Sequence, residues 1–177
     1  MIHSSSIISN KAKIGKNVKI GPFCIIDDNV LLGNDCELVS NVHLSGNTKI
    51  GKNNTFYPYS TIGTIPQDLK FNGEKSKLII GNNNNFREHV TVNPGTFEGG
   101  MITSIKDNCT FMVGSHIAHD CNIGSNVILV NNATLGGHVT IDDNAIIGGN
   151  SAIHQFVKIG KYAMIGGMSG VESNIIP

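Results

Sequence analysis

An aliphatic residue or a phenylalanine recurs at every sixth position along most of this chain. The series runs Ile8, Ile14, Ile20, Ile26, Leu32, Leu38, Leu44, Ile50, Phe56 and Ile62, then Ile80, Phe86 and Val92, and finally Ile105, Phe111, Ile117, Ile123, Leu129, Leu135, Ile141, Ile147, Ile153, Ile159, Ile165 and Val171. A six-residue unit cannot bury an apolar side chain by itself, so such units must stack on one another. The period therefore predicts a solenoid.

A second pattern within each unit indicates short strands joined by tight corners. A small residue stands four positions after the apolar one, as at Val18 and Ala133. Glycine or asparagine often falls between the two, as at Gly15 and Asn17. Both residue types tolerate the backbone conformations that tight corners need. We therefore predict an all-β protein that forms one parallel β-helix domain over residues 1–177.

The series is interrupted twice. Eighteen positions separate Ile62 from Ile80, and the next break, after Val92, is 13 positions long. We expect two protruding loops, at about residues 63–79 and 93–104. Long excursions from a regular solenoid commonly carry function, often on a binding face.

Composition excludes several classes of partner. Thirteen acidic and thirteen basic residues balance, so we expect no broad basic surface for nucleic acid. No apolar run is long enough for membrane insertion, and residues 1–4 lack the features of a secretory signal, so we expect a cytoplasmic protein. The cysteines fall on the small inward position, where a free thiol packs as a small apolar group; they are Cys24, Cys36, Cys109 and Cys121.

The repeats resemble those of the hexapeptide-repeat transferases, whose coils are left-handed triangular prisms. The resemblance implies three units, or 18 residues, in each coil. The left-handed coil is predicted by this resemblance alone, because ordinary parallel crossovers are right-handed. The first break would then be one coil directed outward as a loop.

Counting in coils of 18 brings a group of polar residues to one edge of the prism. Adjacent strands of a sheet lie about 4.8 Å apart, so the group should span about 10 Å. A neutral imidazole beside a carboxylate suits general-base catalysis, and imidazoles also bind zinc. The residues alone leave both possibilities open. The group consists of His116, His119, Asp120, Gly137, His138, His154 and Gln155.

Several segments resemble the UDP-N-acetylglucosamine acyltransferases of lipid A biosynthesis. They are IPQDLK at 65–70, GSHIAHDC at 114–121, NNATLGGH at 131–138, AIIGG at 145–149 and IHQF at 153–156. The resemblance implies a homotrimer that moves a 3-hydroxyacyl chain from acyl carrier protein to the 3-hydroxyl of UDP-N-acetylglucosamine, without a metal or an organic cofactor. Members of that family continue into a helical C-terminal domain, and we expect none in this chain.

The same resemblance implies a role for individual residues. His119 would be the general base, Asp120 would orient it, and the N–H of Gly137 would stabilise the oxyanion. Gly167 falls where the family gauges acyl length, and a glycine there would leave room for a longer chain. The remaining contacts to the sugar nucleotide and acyl chain would come from Gln67, Asp68, Lys70, His116, His138, His154 and Gln155.

The chain departs from the motif of this family at one position, and three other functions remain open. The family often carries His and Arg where this chain reads Asn93-Pro94, so one contact to acceptor or acyl chain differs. Related enzymes acylate an amine of the sugar instead of a hydroxyl. The β-helical carbonic anhydrases use interfacial histidines to hold zinc. A scaffold without catalytic function would need neither the loops nor the polar edge.

Overall fold

The chain forms a prism with three parallel β-sheets as its walls. The computed structural model describes residues 1–177. It contains 25 short strands, numbered β1 to β25 in chain order, and one 3₁₀ helix, Phe97–Gly99. Successive strands belong to different sheets, and every third strand returns to the same sheet. The fold is therefore the predicted all-β parallel helix with a triangular cross-section.

The strands divide among the sheets as follows. The first sheet contains β1 (Ile7–Ile8), β4 (Ile25–Ile26), β7 (His43–Leu44), β10 (Thr61–Ile62), β13 (Thr91–Val92), β16 (His116–Ile117), β19 (Thr134–Leu135), β22 (Ala152–Ile153) and β25 (Gly170–Val171). The second contains β2 (Lys13–Ile14), β5 (Leu31–Leu32), β8 (Thr48–Ile50), β11 (Lys77–Ile80), β14 (Ile102–Ile105), β17 (Asn122–Ile123), β20 (Thr140–Ile141) and β23 (Lys158–Ile159). The third contains β3 (Lys19–Ile20), β6 (Glu37–Leu38), β9 (Thr55–Phe56), β12 (Asn85–Phe86), β15 (Thr110–Phe111), β18 (Ile128–Leu129), β21 (Ile146–Ile147) and β24 (Met164–Ile165).

The repeating apolar position forms the core. Ile117 pairs with Leu135 in the next coil, 18 positions on, which confirms the predicted coil length. Phe56 and Phe86 stack with ring centroids 4.8 Å apart, in the middle of the prism. The core contains 38 buried side chains, nearly all from the two inward positions of the repeat.

The cysteines are buried and free, as predicted. Burial raises the pKa of the Cys109 thiol to about 11 and that of the Cys121 thiol to about 12. A thiol with so high a pKa stays protonated near neutral pH and is a poor nucleophile or metal ligand. These cysteines therefore contribute to packing and not to chemistry.

The tight corners hold residues in the left-handed backbone region. Asparagine occupies many of them, as at Asn126 with φ +58°, whose side chain donates to Asn144 Oδ1 at 3.1 Å in the next coil. Asp120 and His138 adopt the same conformation, with φ +59° and +62°. The corner position has this backbone throughout the prism, since Phe23 and Tyr162 adopt it as well.

The first loop is shorter than the sequence predicts. Strand β11 begins at Lys77, so the loop covers residues 63–76 and not 63–79. Leu78 is fully buried, because the alternation of the strand turns it inward beside Ile80. Ile80 pairs with Ile50, 30 positions earlier, so the insertion is shorter than the whole coil that we expected.

The second loop also ends earlier than predicted. Strand β14 begins at Ile102, which limits this loop to residues 93–101 rather than 93–104. Ile105 pairs with Ile80, 25 positions earlier, so the insertion is not a multiple of six and breaks the phase of the series. The strands on either side nevertheless keep their register.

No helix in the chain has the length and apolar character that a membrane crossing requires.

Candidate active site

Both loops and three of the histidines, His119, His138 and His154, lie along one edge of the prism. We call the column of corner residues between the first and second sheets the histidine edge; it includes 118–121, 136–139 and 154–157. Residues 63–76 and 93–101 also connect a strand of the first sheet to a strand of the second. The structure thus confirms that the interruptions of the repeat and the polar residues share an edge.

His119 and Asp120 form a hydrogen-bonded pair at the centre of this edge. His119 Nδ1 lies 2.9 Å from Asp120 Oδ2. The imidazole is only 10% exposed and the carboxylate is completely buried. A carboxylate that accepts from Nδ1 fixes the tautomer in which Nε2 is unprotonated. The imidazole can then accept a proton at Nε2, as a general base must.

The second loop of the same chain encloses the Asp120 carboxylate. Thr96 donates its backbone N–H to Oδ1 at 2.9 Å and to Oδ2 at 3.0 Å, and its hydroxyl donates to Oδ2 at 2.6 Å. On the other side, Thr103 Oγ1 accepts the backbone N–H of Asp120 at 2.7 Å. Gly99 passes so close that a Cβ there would lie 1.9 Å from Asp120 Cγ.

Sequence reasoning missed these supporting residues. Thr96, Gly99 and Thr103 lie where the repeat is interrupted, so counting in eighteens cannot align them with Asp120. The available signal was the break in phase, which locates the loop but not its contacts. The loop therefore does more than cover the edge, because it also hydrogen-bonds the carboxylate of the candidate base pair.

Gly137 lies directly beside the imidazole, one coil later. A Cβ added to Gly137 would be 2.4 Å from His119 Cε1 and 2.6 Å from its Nε2. Only glycine leaves room for the ring in this position. The backbone N–H of Gly137 makes no hydrogen bond within the chain, so it is free to donate to a substrate oxygen near Nε2.

His138 and Phe156 continue the group of rings. The His138 ring meets the His119 ring edge-on, with centroids 5.0 Å apart. On its other side it stacks on Phe156 at 4.3 Å, with the two planes 7° apart. The half-buried His138 is thus held in place against the ring of His119. Phe156 is the last residue of the IHQF segment, and its exposed ring gives the edge an apolar surface.

His116 lies on β16, two residues before the histidine edge begins at residue 118. Its Nδ1 lies 2.6 Å from Thr91 Oγ1, on the neighbouring strand of the first sheet. Burial lowers the pKa of the His116 imidazole, and the nearby His119 lowers that pKa further. His116 is therefore a neutral polar group near neutral pH, suited to hydrogen bonding and not to charge pairing.

His154 and Gln155 extend the edge by one more coil and are exposed. His154 Nδ1 lies 3.2 Å from the carbonyl oxygen of Gln155. Gly136, one coil earlier, has the backbone of Gln155 3.0 Å from the place of a Cβ. Both side chains are therefore at the same edge as His119, with their polar atoms available to solvent.

The first loop presents its polar residues toward the second loop. Lys70 Nζ forms an ion pair with Glu98 Oε2 at 2.9 Å, which joins the two loops. Asp68 Oδ1 accepts the backbone N–H of Lys70 at 3.0 Å, and Gln67 is exposed. Glu98 was not among the predicted residues. In this arrangement Lys70 is occupied by a protein carboxylate.

Asn93 has a structural contact at the position where the family motif differs. Its side chain is buried and its Nδ2 donates to the carbonyl oxygens of Thr64 at 3.0 Å and Ile65 at 3.3 Å. This anchors the start of the first loop. The Oδ1 atom of Asn93 is buried without a hydrogen-bond partner.

The structure does not bring Gly167 to the histidine edge of its own chain. Gly167 follows β24 of the third sheet and precedes β25 of the first, so it lies at a different corner of the prism. A Cβ at Gly167 would come no closer than 3.3 Å to any other atom, which is slightly tight but open. The spacing of 18 from Gly149 and not from Gly137 already implied this corner.

The cluster of His119, Asp120 and His138 is compact enough to be considered as a metal-binding site. Ligand atoms of His119, Asp120 and His138 all lie within 4.8 Å of one another. However, both Asp120 oxygens already accept hydrogen bonds from Thr96, and His119 Nδ1 is directed at the carboxylate. A metal would have to displace these bonds or use Nε2 of His119 and His138 alone. The donor set therefore fits a proton-transfer pair better than a tetrahedral metal centre.

Comparison with known protein families shows the handedness of the β-helix. The family described as Bacterial transferase hexapeptide (six repeats) matches residues 11–46 and 102–137. A crystal structure of a UDP-N-acetylglucosamine acyltransferase superposes with a TM-score of 0.97 at 49% identity, covering 98% of this chain and 67% of the other. The prism is the left-handed β-helix of these repeats.

Sequence relatives cover almost the whole chain. An acyl-[acyl-carrier-protein]–UDP-N-acetylglucosamine O-acyltransferase from Aliarcobacter butzleri is 51% identical over 176 residues, which is 99% of this chain and 68% of the relative. The protein of the same name from Campylobacter concisus is 42% identical over 177 residues, again 99% and 68%. The structure of the UDP-N-acetylglucosamine acyltransferase from Campylobacter jejuni gives a TM-score of 0.96 at 40% identity, covering 100% of this chain and 69% of that one.

Proposed function

Since the chain belongs to the UDP-N-acetylglucosamine O-acyltransferase family of lipid A biosynthesis, we propose that it moves a 3-hydroxyacyl chain from acyl carrier protein to the 3-hydroxyl of UDP-N-acetylglucosamine, with His119 as general base. One observation carries this proposal. His119 Nδ1 lies 2.9 Å from the buried Asp120 carboxylate, and the His119 ring lies against Gly137, whose N–H makes no hydrogen bond within the chain.

The proposed reaction needs one base and one oxyanion donor. His119 Nε2 takes the proton of the sugar 3-hydroxyl, and the oxygen attacks the thioester carbonyl carbon. The resulting oxyanion accepts a hydrogen bond from the N–H of Gly137, an interaction typically worth about 3 kcal/mol. When the C–S bond breaks, the thiolate takes the proton from the His119 imidazolium. The Asp120 carboxylate stabilises that imidazolium and holds its orientation.

Substrate contacts extend from the base in two directions. Lys70, Asp68 and Gln67 would bind the sugar nucleotide, with Lys70 exchanging Glu98 for a phosphate. His116 and His138 would hydrogen-bond the sugar. Their surroundings support these roles, because the loop residues belong to the first loop, His138 lies on the histidine edge, and His116 lies on the strand that leads into it. His154 and Gln155 would contact the acyl chain or its carrier, beside the exposed ring of Phe156.

We further propose a homotrimer whose sites lie between subunits. Gly167 is on a different corner from His119, so it can gauge the acyl chain only in the site of a neighbouring subunit. Apolar residues exposed on the prism support this arrangement, including Ile79 and Met164, which point outward from their strands. Sedimentation analysis of the native protein tests this arrangement, with a single species of three chains expected. Because the proposed substrates are a carrier-bound acyl chain and a sugar nucleotide, we place the reaction in the cytoplasm.

The deciding experiment measures the product. The protein is incubated with UDP-N-acetylglucosamine and 3-hydroxyacyl carrier proteins of several chain lengths, and the products are weighed by mass spectrometry. We expect the mass of the sugar nucleotide to rise by one hydroxyacyl group. The new bond should be an ester, which mild alkali cleaves. An alkali-stable product formed from an amino-sugar acceptor would indicate the amine-directed reaction instead.

Elemental analysis addresses the zinc alternative. We expect far less than one zinc per chain in purified protein, and transfer that is unchanged by a chelator. Stoichiometric zinc bound through His119 and His138 would overturn the base mechanism, since Nε2 would then be a ligand and unable to accept a proton.

A further inference from the structure

The Asp120 carboxylate depends on the second loop for its environment. It is completely buried, and burying a carboxylate is costly unless it is paired and hydrogen-bonded. An ionised carboxylate can accept about four hydrogen bonds. His119 makes only one contact with the carboxylate, through Nδ1, whereas Thr96 donates to it from both a backbone N–H and a hydroxyl. Thr96 is therefore the main hydrogen-bonding partner of this buried carboxylate.

The hydroxyl of Thr96 is committed to Asp120 and not to the helix that it begins. Thr96 is the N-cap residue of the 3₁₀ helix, a position where a threonine side chain normally accepts from the helix N–H groups. Here it makes no side-chain capping bond, and the hydroxyl donates to Asp120 Oδ2 at 2.6 Å. Thr96 is itself buried, with 2% exposure, so solvent does not compete for the hydroxyl.

The backbone around Thr96 is shaped to fit the carboxylate. A Cβ on Gly95 would lie 2.7 Å from Asp120 Oδ1, and one on Gly99 would overlap the carboxylate. Neither glycine has a left-handed backbone, so close approach rather than conformation is the reason for glycine there. The segment therefore closes around Asp120 from two sides.

The donors of Thr96 also determine where protons lie in the pair. Its backbone N–H can only donate, and its hydroxyl lies at donor distance from Oδ2, so both carboxylate oxygens are placed as acceptors. We expect the hydrogen between Asp120 and His119 to belong to Nδ1, which makes Nε2 the unprotonated atom of the neutral imidazole. This is the tautomer that general-base catalysis needs.

We propose that Thr96 is a positioning residue for the base: its hydroxyl and amide hold Asp120 so that His119 keeps the Nδ1–H tautomer and its orientation toward Gly137. This role rests on the proposed acyl transfer for its catalytic consequence. Thr96 touches neither substrate nor reacting atom in this role and acts through Asp120 alone.

The test compares variants that differ by one group. Thr96→Val removes the hydroxyl and keeps the shape, whereas Thr96→Ser keeps the hydroxyl and removes a methyl. We expect T96V to lower kcat by roughly tenfold to a hundredfold, the scale of effect that misplaced catalytic groups produce, with KM within about twofold. T96S should stay within about threefold of the parent protein. Thr55→Val, on the third sheet away from the edge, controls for loss of a threonine hydroxyl.

A second measurement does not depend on activity. Nitrogen-15 NMR of the imidazoles distinguishes the two neutral tautomers, and we expect Nδ1–H alone for His119 in the parent protein and in T96S. In T96V a mixture of tautomers should be present. If T96V does not fold, Thr96→Ala and T96S, which differ by one oxygen atom, provide the same comparison.

The outcomes separate the two proposals. A parent protein that transfers no acyl group, yet shows the tautomer change in T96V, contradicts the proposed function and supports the role of Thr96. A T96V protein with unchanged kcat and a pure Nδ1–H tautomer overturns the role of Thr96 and leaves the proposed function standing.

Discussion

The imidazole of His119 lies against the α-carbon of Gly137, one coil further along the prism, where an added Cβ would be 2.4 Å from Cε1. The proposed base and the proposed oxyanion donor are thus held together by the stacking of coils and not by a bond between them. Their relative position is set by the 18-residue register of the first sheet.

Gly137→Ala should displace the base while keeping the backbone N–H. The methyl group would overlap the ring of His119, and we expect a loss in kcat of roughly a hundredfold, because a shift of about 1 Å has an effect of that size. Gly170→Ala is the matched control, since nothing lies within 4 Å of a Cβ there. Steady-state kinetics measure both. A G137A protein as active as G170A would contradict the close contact.

Two substitutions at His119 should separate catalysis from stability. His119→Asn retains a donor near the place of Nδ1 and has no base, whereas His119→Ala also removes a hydrogen bond to the buried Asp120. We expect both to lose at least a hundredfold in transfer rate. We expect H119A, and not H119N, to lose about 1–3 kcal/mol in free energy of unfolding, the usual result of losing a partner of a buried polar group. Denaturant unfolding measures this difference, and substantial transfer by H119N would exclude the base role.

The ion pair between Lys70 and Glu98 should compete with the sugar nucleotide. Glu98→Gln releases Lys70 and should lower KM for UDP-N-acetylglucosamine by at most a few fold at low salt, since exposed pairs are weak. Added salt should reduce the difference, because it screens exposed charges. Lys70→Ala should raise KM. Glu37→Gln, which removes a comparable exposed partner of Lys19, should leave KM unchanged. An increase of KM in E98Q would instead indicate that the pair holds the loops in the binding geometry.

His116 should make the fold less stable in acid. The pKa of its imidazole is lowered by burial, so the unfolded chain binds this proton more readily than the folded one. By linkage, stability then rises with pH through this window and declines as pH falls through the ordinary histidine pKa near 6.5. His116→Gln removes this penalty. The Tm of the variant, relative to that of the parent protein, should therefore rise as the pH is lowered from 7 to 5. His3→Gln, at an exposed histidine, should show no such gain. Parallel Tm curves for H116Q and the parent protein would contradict the assignment.

The sequence predicts those parts of the fold and site that obey the repeat. His119, Gly137 and Gln155 are 18 positions apart, so their stacking follows from counting, and the structure places them on one edge. The burial of the cysteines follows equally from their place in the unit. In both cases the position within the coil determines the environment of the side chain.

The contacts made by the loops could not be predicted from the period. Thr96 reaches Asp120 across 24 positions of sequence, through a segment whose path is set by its own short helix and glycines. Likewise Glu98 pairs with Lys70 only because two irregular loops meet. Gly167 differs from these, since its corner follows from the period once it is counted from Gly149.

The coils that carry the loops are 30 and 25 residues long, yet the strands before and after them pair as regularly as those of the 18-residue coils. Insertions at this corner therefore leave the hydrogen bonds between the strands of the prism unchanged. Evolution can lengthen, shorten or exchange either loop as a unit, without re-registering the core. Diversification of acceptor specificity on such a scaffold is accordingly expected to proceed by insertion and deletion at one corner, while the faces change only by single substitutions.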